Sequence, residues 1–339
     1  MPKGFIWKVC ALLIVIFLAF YLHVTNGMFD MTILDVVKTL FGLSEDDKFQ
    51  LVIFEFRLPR VVIAILVGIG LAFAGAILQG VTKNDLADPG ILGINAGAGA
   101  AVAFFMFVFQ FNASRADGSE WLNILLMPLF GFVGGLIAAV IIFSFAYRYG
   151  RLDVERLLLT GIAINSGFGA LSLYLTLKMS EKDYEVAALW QAGTIYNANW
   201  TFIASMLPWV VILGIYIWRK SHLLDYFQLE ESTIISLGIP LEREKIKLML
   251  ASVGIVSACV SVSGSIGFIG LMAPHIARQL VGIHHRFVIP VSGLVGAALL
   301  LVADFIAKTA FAPSELAVGI VVSIIGIPYF LFLLVKGGR

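Results

Sequence analysis

The feature that most constrains this chain is a succession of apolar stretches, each about as long as a bilayer is thick, separated by short loops that hold most of the charge. A hydrocarbon core about 30 Å thick takes about 20 helical residues to cross. Stretches of that kind lie at 5–24, 61–80, 91–111, 122–147, 157–177, 200–218, 247–263, 266–283, 287–303 and 314–335. Hydrophobic residues make up 60% of the 339 and charged ones only 13%, against about 25% charged in soluble domains. No soluble fold buries that much apolar surface. The expected fold is all-α: a polytopic membrane protein of about ten transmembrane helices, one transmembrane domain over 1–339. In the last third, Gly254, Gly264, Gly267, Gly270 and Pro274 interrupt the apolar run and mark short or broken helices.

The first stretch follows Lys3 and Lys8 and so resembles a signal peptide, but the bulky Phe20-Tyr21-Leu22-His23 offers no small-residue cleavage site. It reads as an uncleaved helix. Cys10 and Cys259 both lie in apolar stretches and read as small packed hydrophobes rather than a disulfide or metal framework. Placing the N-terminus inside puts 15 of the 23 Lys and Arg on the cytoplasmic side, so both termini are expected in the cytoplasm. The net charge of +1 adds nothing about partners, and no nucleic acid is expected.

Two loops carry structure of their own. Between the first two spans, Asp30 or Thr32 caps a short amphipathic segment, 33–41, ended by Gly42, which suits the outer membrane interface. The longest inner loop, 219–247, holds a Glu-rich start at Glu230 and Glu231, apolar residues at helical spacing, Ser236-Leu237-Gly238 and then Pro240. That pattern predicts a short helix, a turn and a second helix starting near Pro240. It is either a docking surface for a cytoplasmic partner or a plain extension of two spans.

Three clusters have the residues for chemistry. Arg57-Leu58-Pro59-Arg60 stands at the outer mouth of the second span, where Pro59 suits a helix start. Its two arginines share a helical face; they either offer forked donors to carboxylates or snorkel to lipid headgroups. In the 74–99 region, small residues recur at the spacing that lets helices approach closely. Gln79, Asn84, Asp88 and Asn95 there need partners or water, which fits a broken helix lining a cavity. In the 264–278 run, glycines and Pro274 imply irregular backbone around His275, read as a structural hydrogen-bonding histidine. Asp304 and Glu315 are expected at the outer boundary with Lys308 as their partner.

Absent motifs narrow the function. The chain has no Gly-x-x-x-x-Gly-Lys-Ser/Thr phosphate loop, no metal-ligand cluster, no nucleophile triad and no ladder of charges within the spans. Catalytic residues, cofactors and metal ligands are therefore not expected, and transport driven from outside the chain remains. The rival classes are an ion-coupled secondary transporter, which also uses broken helices at the midplane, and a structural or channel-like membrane subunit, which would show passive flux independent of ATP.

Taken in order, these segments resemble the permease subunits of ABC importers for iron-siderophores, haem and cobalamin, the FecCD or BtuC-like family. The resemblance runs through Arg57-Leu58-Pro59-Arg60, the 74–99 region with Leu86-Ala87-Asp88-Pro89, Leu159-Thr160-Gly161, Trp190-Gln191-Ala192-Gly193, the Gly267 to Arg278 run, His285-Arg286, Ala303-Asp304 and Gly326-Ile327-Pro328-Tyr329-Phe330. It implies the type II importer permease fold in a bacterial cytoplasmic membrane. Its implied partners are a second permease, identical or homologous, two cytoplasmic ATP-binding subunits and an extracytoplasmic substrate-binding protein. It further implies docking of that protein at Arg57, Arg60 and Lys308, Lys308 standing where the family often has Arg. ATPase coupling is implied through Glu230, Glu231, Ser236, Leu237, Gly238 and Pro240. An intact chelate would cross a weakly binding path near Gln79, Gly93, Asn95, Ala96, Gly97, Asn165 and Ser166. Ferric siderophore is the preferred cargo, with haem and cobalamin as alternatives. Asp85 and Ala317 depart from the family's usual Pro at those positions.

Overall fold

A computed structural model describes residues 4–26, 31–43, 46–110, 120–312 and 314–337. The fold is helical apart from one two-residue-stranded hairpin, in keeping with the sequence. In chain order the helices are α1 (Phe5–Thr25), α2 (Ile33–Leu40), α3 (Asp47–Leu51), α4 (Leu58–Thr82), α5 (Ile94–Phe105), α6 (Glu120–Ala146), α7 (Val154–Leu177), α8 (Glu181–Gln191), α9 (Trp200–Arg219), α10 (Ser221–Phe227), α11 (Glu231–Ser236), α12 (Leu241–Ser263), α13 (Ile269–Val281), α14 (His285–Thr309) and α15 (Val318–Gly337). Strands β1 (Tyr147–Arg148) and β2 (Arg151–Leu152) join α6 to α7.

Among the described residues, eight helices have the length and composition to cross a bilayer. The other two expected stretches are shorter, for a physical reason. The 91–111 stretch is divided into a 3-10 turn (Pro89–Leu92), the 12-residue α5 and a π-helical turn (Met106–Gln110). Gly93, at φ +77°, ends the 3-10 turn and caps α5. The 266–283 stretch yields only the 13 residues of α13, because Gly264 (φ +68°) and Phe268 (φ +64°) hold the chain between α12 and α13 out of helical geometry. Protein packs around the break, as a membrane requires: Thr194 N–H donates to the carbonyl of Ser263, the last residue of α12, at 2.9 Å.

Pro59 does not start the second span. Helical backbone runs unbroken from Asp47 to Thr82, a 36-residue span, through a π-helical segment at Val52–Arg57. Proline has no N–H to give and crowds the carbonyl one turn back, and the wider π turn accommodates it. Leu58 N–H reaches Ile53 O, five residues back, and the freed Phe54 carbonyl accepts from Trp200 Nε1 at 2.7 Å. The short segment after α1 forms as expected, with Thr32 and Asp35 making a reciprocal capping box and Gly42 in left-handed geometry after it. Asp30 lies outside the described residues.

The centre of the bundle is α4 against α14, α13 and α12. A Cβ at Gly68 would come 2.5 Å from Gly296 O, and one at Gly75 only 1.9 Å from Gly270 O. Small residues here let backbones touch, which is how helices bind one another where lipid removes the hydrophobic drive. α5 meets α6 in the same way at Gly97 and Gly134. Cys259 is buried in this centre as expected, but Cys10 is exposed on α1 and is not packed.

Candidate functional site

Three regions hold the sequence-predicted residues, and α4 separates two of them. At its N-terminal end Arg57 and Arg60 are both buried. Arg57 donates to Val24 O. Arg60 reaches two acids of its own chain: Asp304 through Nε and Nη2, at 2.7 and 2.8 Å, and Glu315 through Nη1 at 2.7 Å. Lys308 is therefore not the partner expected for these acids. Its Nζ donates to Asn26 O at 2.9 Å instead. Asp304 is only 1% exposed, a burial that needs a bidentate countercharge such as arginine supplies.

The second region is a cavity of about 500 Å³ among α5, α7, α8, α13 and α15. Of the residues expected near a path, Asn95, Ala96 and Asn165 line it. Gln79, Gly93, Gly97 and Ser166 do not. Gln79 is a staple instead: its Nε2 lies 3.3 Å from Ala87 O, Gly270 O and Leu271 O, and its Oε1 accepts from Arg278. Gly93 and Gly97 face neighbouring backbone of α7 and α6, and Ser166 is exposed, bonded to Ile162 O at 3.0 Å. His275 contacts Gln279 at 2.8 Å.

The cavity wall also holds Asp88, Ser172, Trp190, Ser265, Phe268 and Phe330. Among the described residues no Lys or Arg lines it, and the lining is uncharged apart from one carboxyl. Asp88 Oδ1 accepts from Gly90 N–H at 2.6 Å, while Oδ2 and the nearby Asn95 Oδ1 have no protein group in hydrogen-bonding geometry. Burial pushes the Asp88 carboxyl up to about 6, against the Gly90 and Leu271 amides that favour its charge. Asn95 Nδ2 donates to Ser265 Oγ at 3.3 Å, tying α5 to the turn before α13. Sequence reading missed Trp190, Ser265 and Phe268 as lining. The signal was present in the aromatic residue before Gly193 and in the glycine-rich turn 264–267, but only the fold brings them beside Asn95.

The third region lies at the other end of α4, where Lys83 Nζ donates to Leu229 O at 2.9 Å. Here α11 follows Glu230 and ends at Ser236, and Gly238, with a φ of +73°, makes the turn into Pro240 and α12. Ile235 and Leu237 are 60% and 59% exposed. Lys245 Nζ bridges Glu231 at 3.0 Å and Glu242 at 3.2 Å, so α11 is clamped to the start of α12. The Lys245 hydrogen bond and charge hold the Glu231 carboxyl below the usual range. The expected helix, turn and second helix are present; α10, packed directly after α9, was not foreseen.

The sequence pattern of the FecCD transport family matches residues 12–336. The chain belongs to that family. Among its FecCD relatives is the Bacillus subtilis iron-uptake system permease protein FeuC, 48% identical over 316 residues that cover 93% of each chain. The iron(3+)-hydroxamate import system permease protein FhuG of the same organism is 42% identical and covers 98% of this chain and 96% of its own. In three dimensions this FecCD chain superposes on a metal-chelate type ABC transporter in an inward-facing conformation with a TM-score of 0.82, at 25% identity, covering 96% of this chain and 98% of the other. It is a multi-span permease that works with ATPase and permease partners.

Proposed function

We propose that this permease carries an intact ferric siderophore into the cytoplasm across a bacterial cytoplasmic membrane, with both termini inside. Two ATP-hydrolysing subunits drive it, and an extracytoplasmic binding protein feeds it. The observation that carries the reading is the exposed wall of the cavity. On α7, Asn165 and Gly169 line the cavity, Ser166, Gly167 and Ala170 beside them are exposed, and a Cβ at Gly167 or Gly169 would meet nothing within 4 Å. A second permease mated across α7 would enclose a path of that character, smooth enough to pass a large chelate without trapping it. The names of FeuC and FhuG supply the cargo class.

In this reading Arg57, Arg60 and Lys308 mark the docking end. Arg60, engaged with Asp304 and Glu315, shapes that surface, and the half-buried Lys308 meets the binding protein. Glu230, Glu231, Ser236, Leu237, Gly238 and Pro240 form the coupling segment, through which closure of the ATPase dimer moves α12. Non-catalytic transport follows from this division of labour.

The test is uptake of radiolabelled ferric siderophore, haem and cobalamin by cells lacking and then regaining this chain, with and without ATP depletion. Restored ATP-dependent ferric-siderophore uptake is expected. Restored uptake of another chelate alone would refute the cargo, and uptake indifferent to ATP would refute the importer.

A further inference from the structure

Beside α11 stands a second element that the coupling reading does not use. Strands β1 and β2 pair Tyr147 with Leu152 and Arg148 with Arg151, around a two-residue turn in which Tyr149 (φ +53°) and Gly150 (φ +79°) are both left-handed. Two positive φ values are the geometry a tight hairpin of this length requires, but an aromatic residue adopts it at a cost. Tyr149 is 89% exposed, so no packing within the chain offsets that cost. The guanidinium of Arg148 lies over its ring, 5.0 Å from the centroid.

The register has an electrostatic consequence. Arg148 and Arg151 sit directly opposite one another, and like charges at such positions repel. Neither forms an ion pair among the described residues. The carboxylates nearby are already held: Asp153 by Arg156 at 3.3 Å, and Glu231 and Glu242 by Lys245. The two arginines line a hollow of about 460 Å³ together with Glu231 and Glu242. The hairpin is nonetheless fixed in place, because Leu152 N–H donates to Glu242 Oε2 at 2.8 Å. Through Glu242 and Lys245, the hairpin, α11 and the start of α12 are one unit. It presents the exposed Ile235 and Leu237 beside two guanidiniums, of which Arg151 acts on the Glu231 carboxylate through space without a direct ion pair.

We propose that the Tyr147–Leu152 hairpin is a second docking element for the ATP-hydrolysing partner, with Arg148 and Arg151 receiving an acidic patch of that subunit next to the groove that takes α11. This rests on the assignment of α11 as the coupling helix. An acidic surface laid over the pair would relieve the cross-strand repulsion and cover Tyr149. Because the contact is fixed to Glu242, it would also transmit force to α12 by a route separate from α11.

The test uses the full permease in nanodiscs of purely zwitterionic lipid and measures its affinity for the purified ATPase subunit across a salt series. R148E/R151E is expected to weaken binding at least tenfold and to flatten the salt dependence, with R148K/R151K close to wild type. Should the charge reversal disturb folding, judged by melting temperature and elution profile, R148Q/R151Q makes the same comparison with an expected smaller loss. L237D separates the two claims. If L237D abolishes binding while the hairpin variants bind as wild type, the hairpin proposal is overturned and the coupling helix stands. If neither change matters, both fall. A difference that appears only in nanodiscs containing anionic lipid would assign the arginines to headgroups and overturn the proposal.

Discussion

Arg60 grips Asp304 by two parallel hydrogen bonds, Nε to Oδ2 at 2.7 Å and Nη2 to Oδ1 at 2.8 Å, and so locks α4 to α14. With Arg60 removed, His23 at 3.8 Å would be the remaining basic neighbour in ion-pair range of a carboxylate that is 1% exposed. Leaving a buried charge unpaired costs about 3–5 kcal/mol, whereas removing both partners costs far less. Arg60→Ala is expected to lower the thermal stability of the nanodisc-embedded protein sharply, and Arg60→Ala with Asp304→Ala to recover most of the loss. Equal melting temperatures for wild type and Arg60→Ala would refute the lock.

The docking end therefore divides into a structural and a contacting part. Lys308→Glu is expected to weaken binding-protein affinity with a smaller loss of melting temperature than Arg60→Glu, since the half-buried Lys308 gives up one hydrogen bond, to Asn26 O, where Arg60 gives up three. Arg60→Glu is expected to reduce both. Surface plasmon resonance against the immobilised permease distinguishes them, and undiminished affinity in Lys308→Glu would remove Lys308 from the contact.

Asp88 predicts a pH dependence with a definite sign. Its carboxyl titrates at about 6 in the folded protein against an ordinary 3.8. The folded state thus binds the proton more tightly, so this group opposes folding increasingly as pH rises from 3.8 through 6, and not at all below 3.8. At 1.36 kcal/mol per pH unit the loss approaches about 3 kcal/mol by pH 7. Asp88→Asn abolishes the titration, so its stability relative to wild type should rise between pH 4 and pH 7. A difference that stays flat across that range is the contrary result.

Glycines on α4 and α7 should respond oppositely to the same change. Gly75→Ala would place a methyl carbon 1.9 Å from Gly270 O, forcing α4 and α13 apart, with an expected cost of about 1–3 kcal/mol or more and a poor yield of monodisperse protein. Gly169 has nothing within 4 Å, so Gly169→Ala should leave the single permease chain unharmed. Gly169→Leu, placed on the face assigned to the second permease, should instead weaken permease pairing in cross-linking. Pairing that survives Gly169→Leu would move the interface elsewhere.

Much of the fold was legible because hydrophobic length and glycine spacing are local properties. The cap at Thr32, the turn at Gly238 and the start of α12 all follow from neighbours within a few residues. What escaped is long-range. Arg60 meets Asp304 and Glu315 across 244 and 255 residues, and nothing local distinguishes them from Lys308, which lies nearer the acids in sequence but points to Asn26. Gln79 looked like a path residue because an amide at that depth needs partners; the fold supplies them from the Ala87 and 270–271 carbonyls. The hairpin went unread because Tyr149-Gly150 lacks the usual Asn or Asp at its first position.

The glycine contacts of α4 bear on how such a protein can move. Where a backbone rests directly on a backbone, as at Gly68 against Gly296 and Gly75 against Gly270, no side chain lies between to change rotamer and absorb a sliding displacement. At those two contacts α14 and α13 bear on α4 without a side-chain cushion, so a load on one of the three helices reaches the others directly.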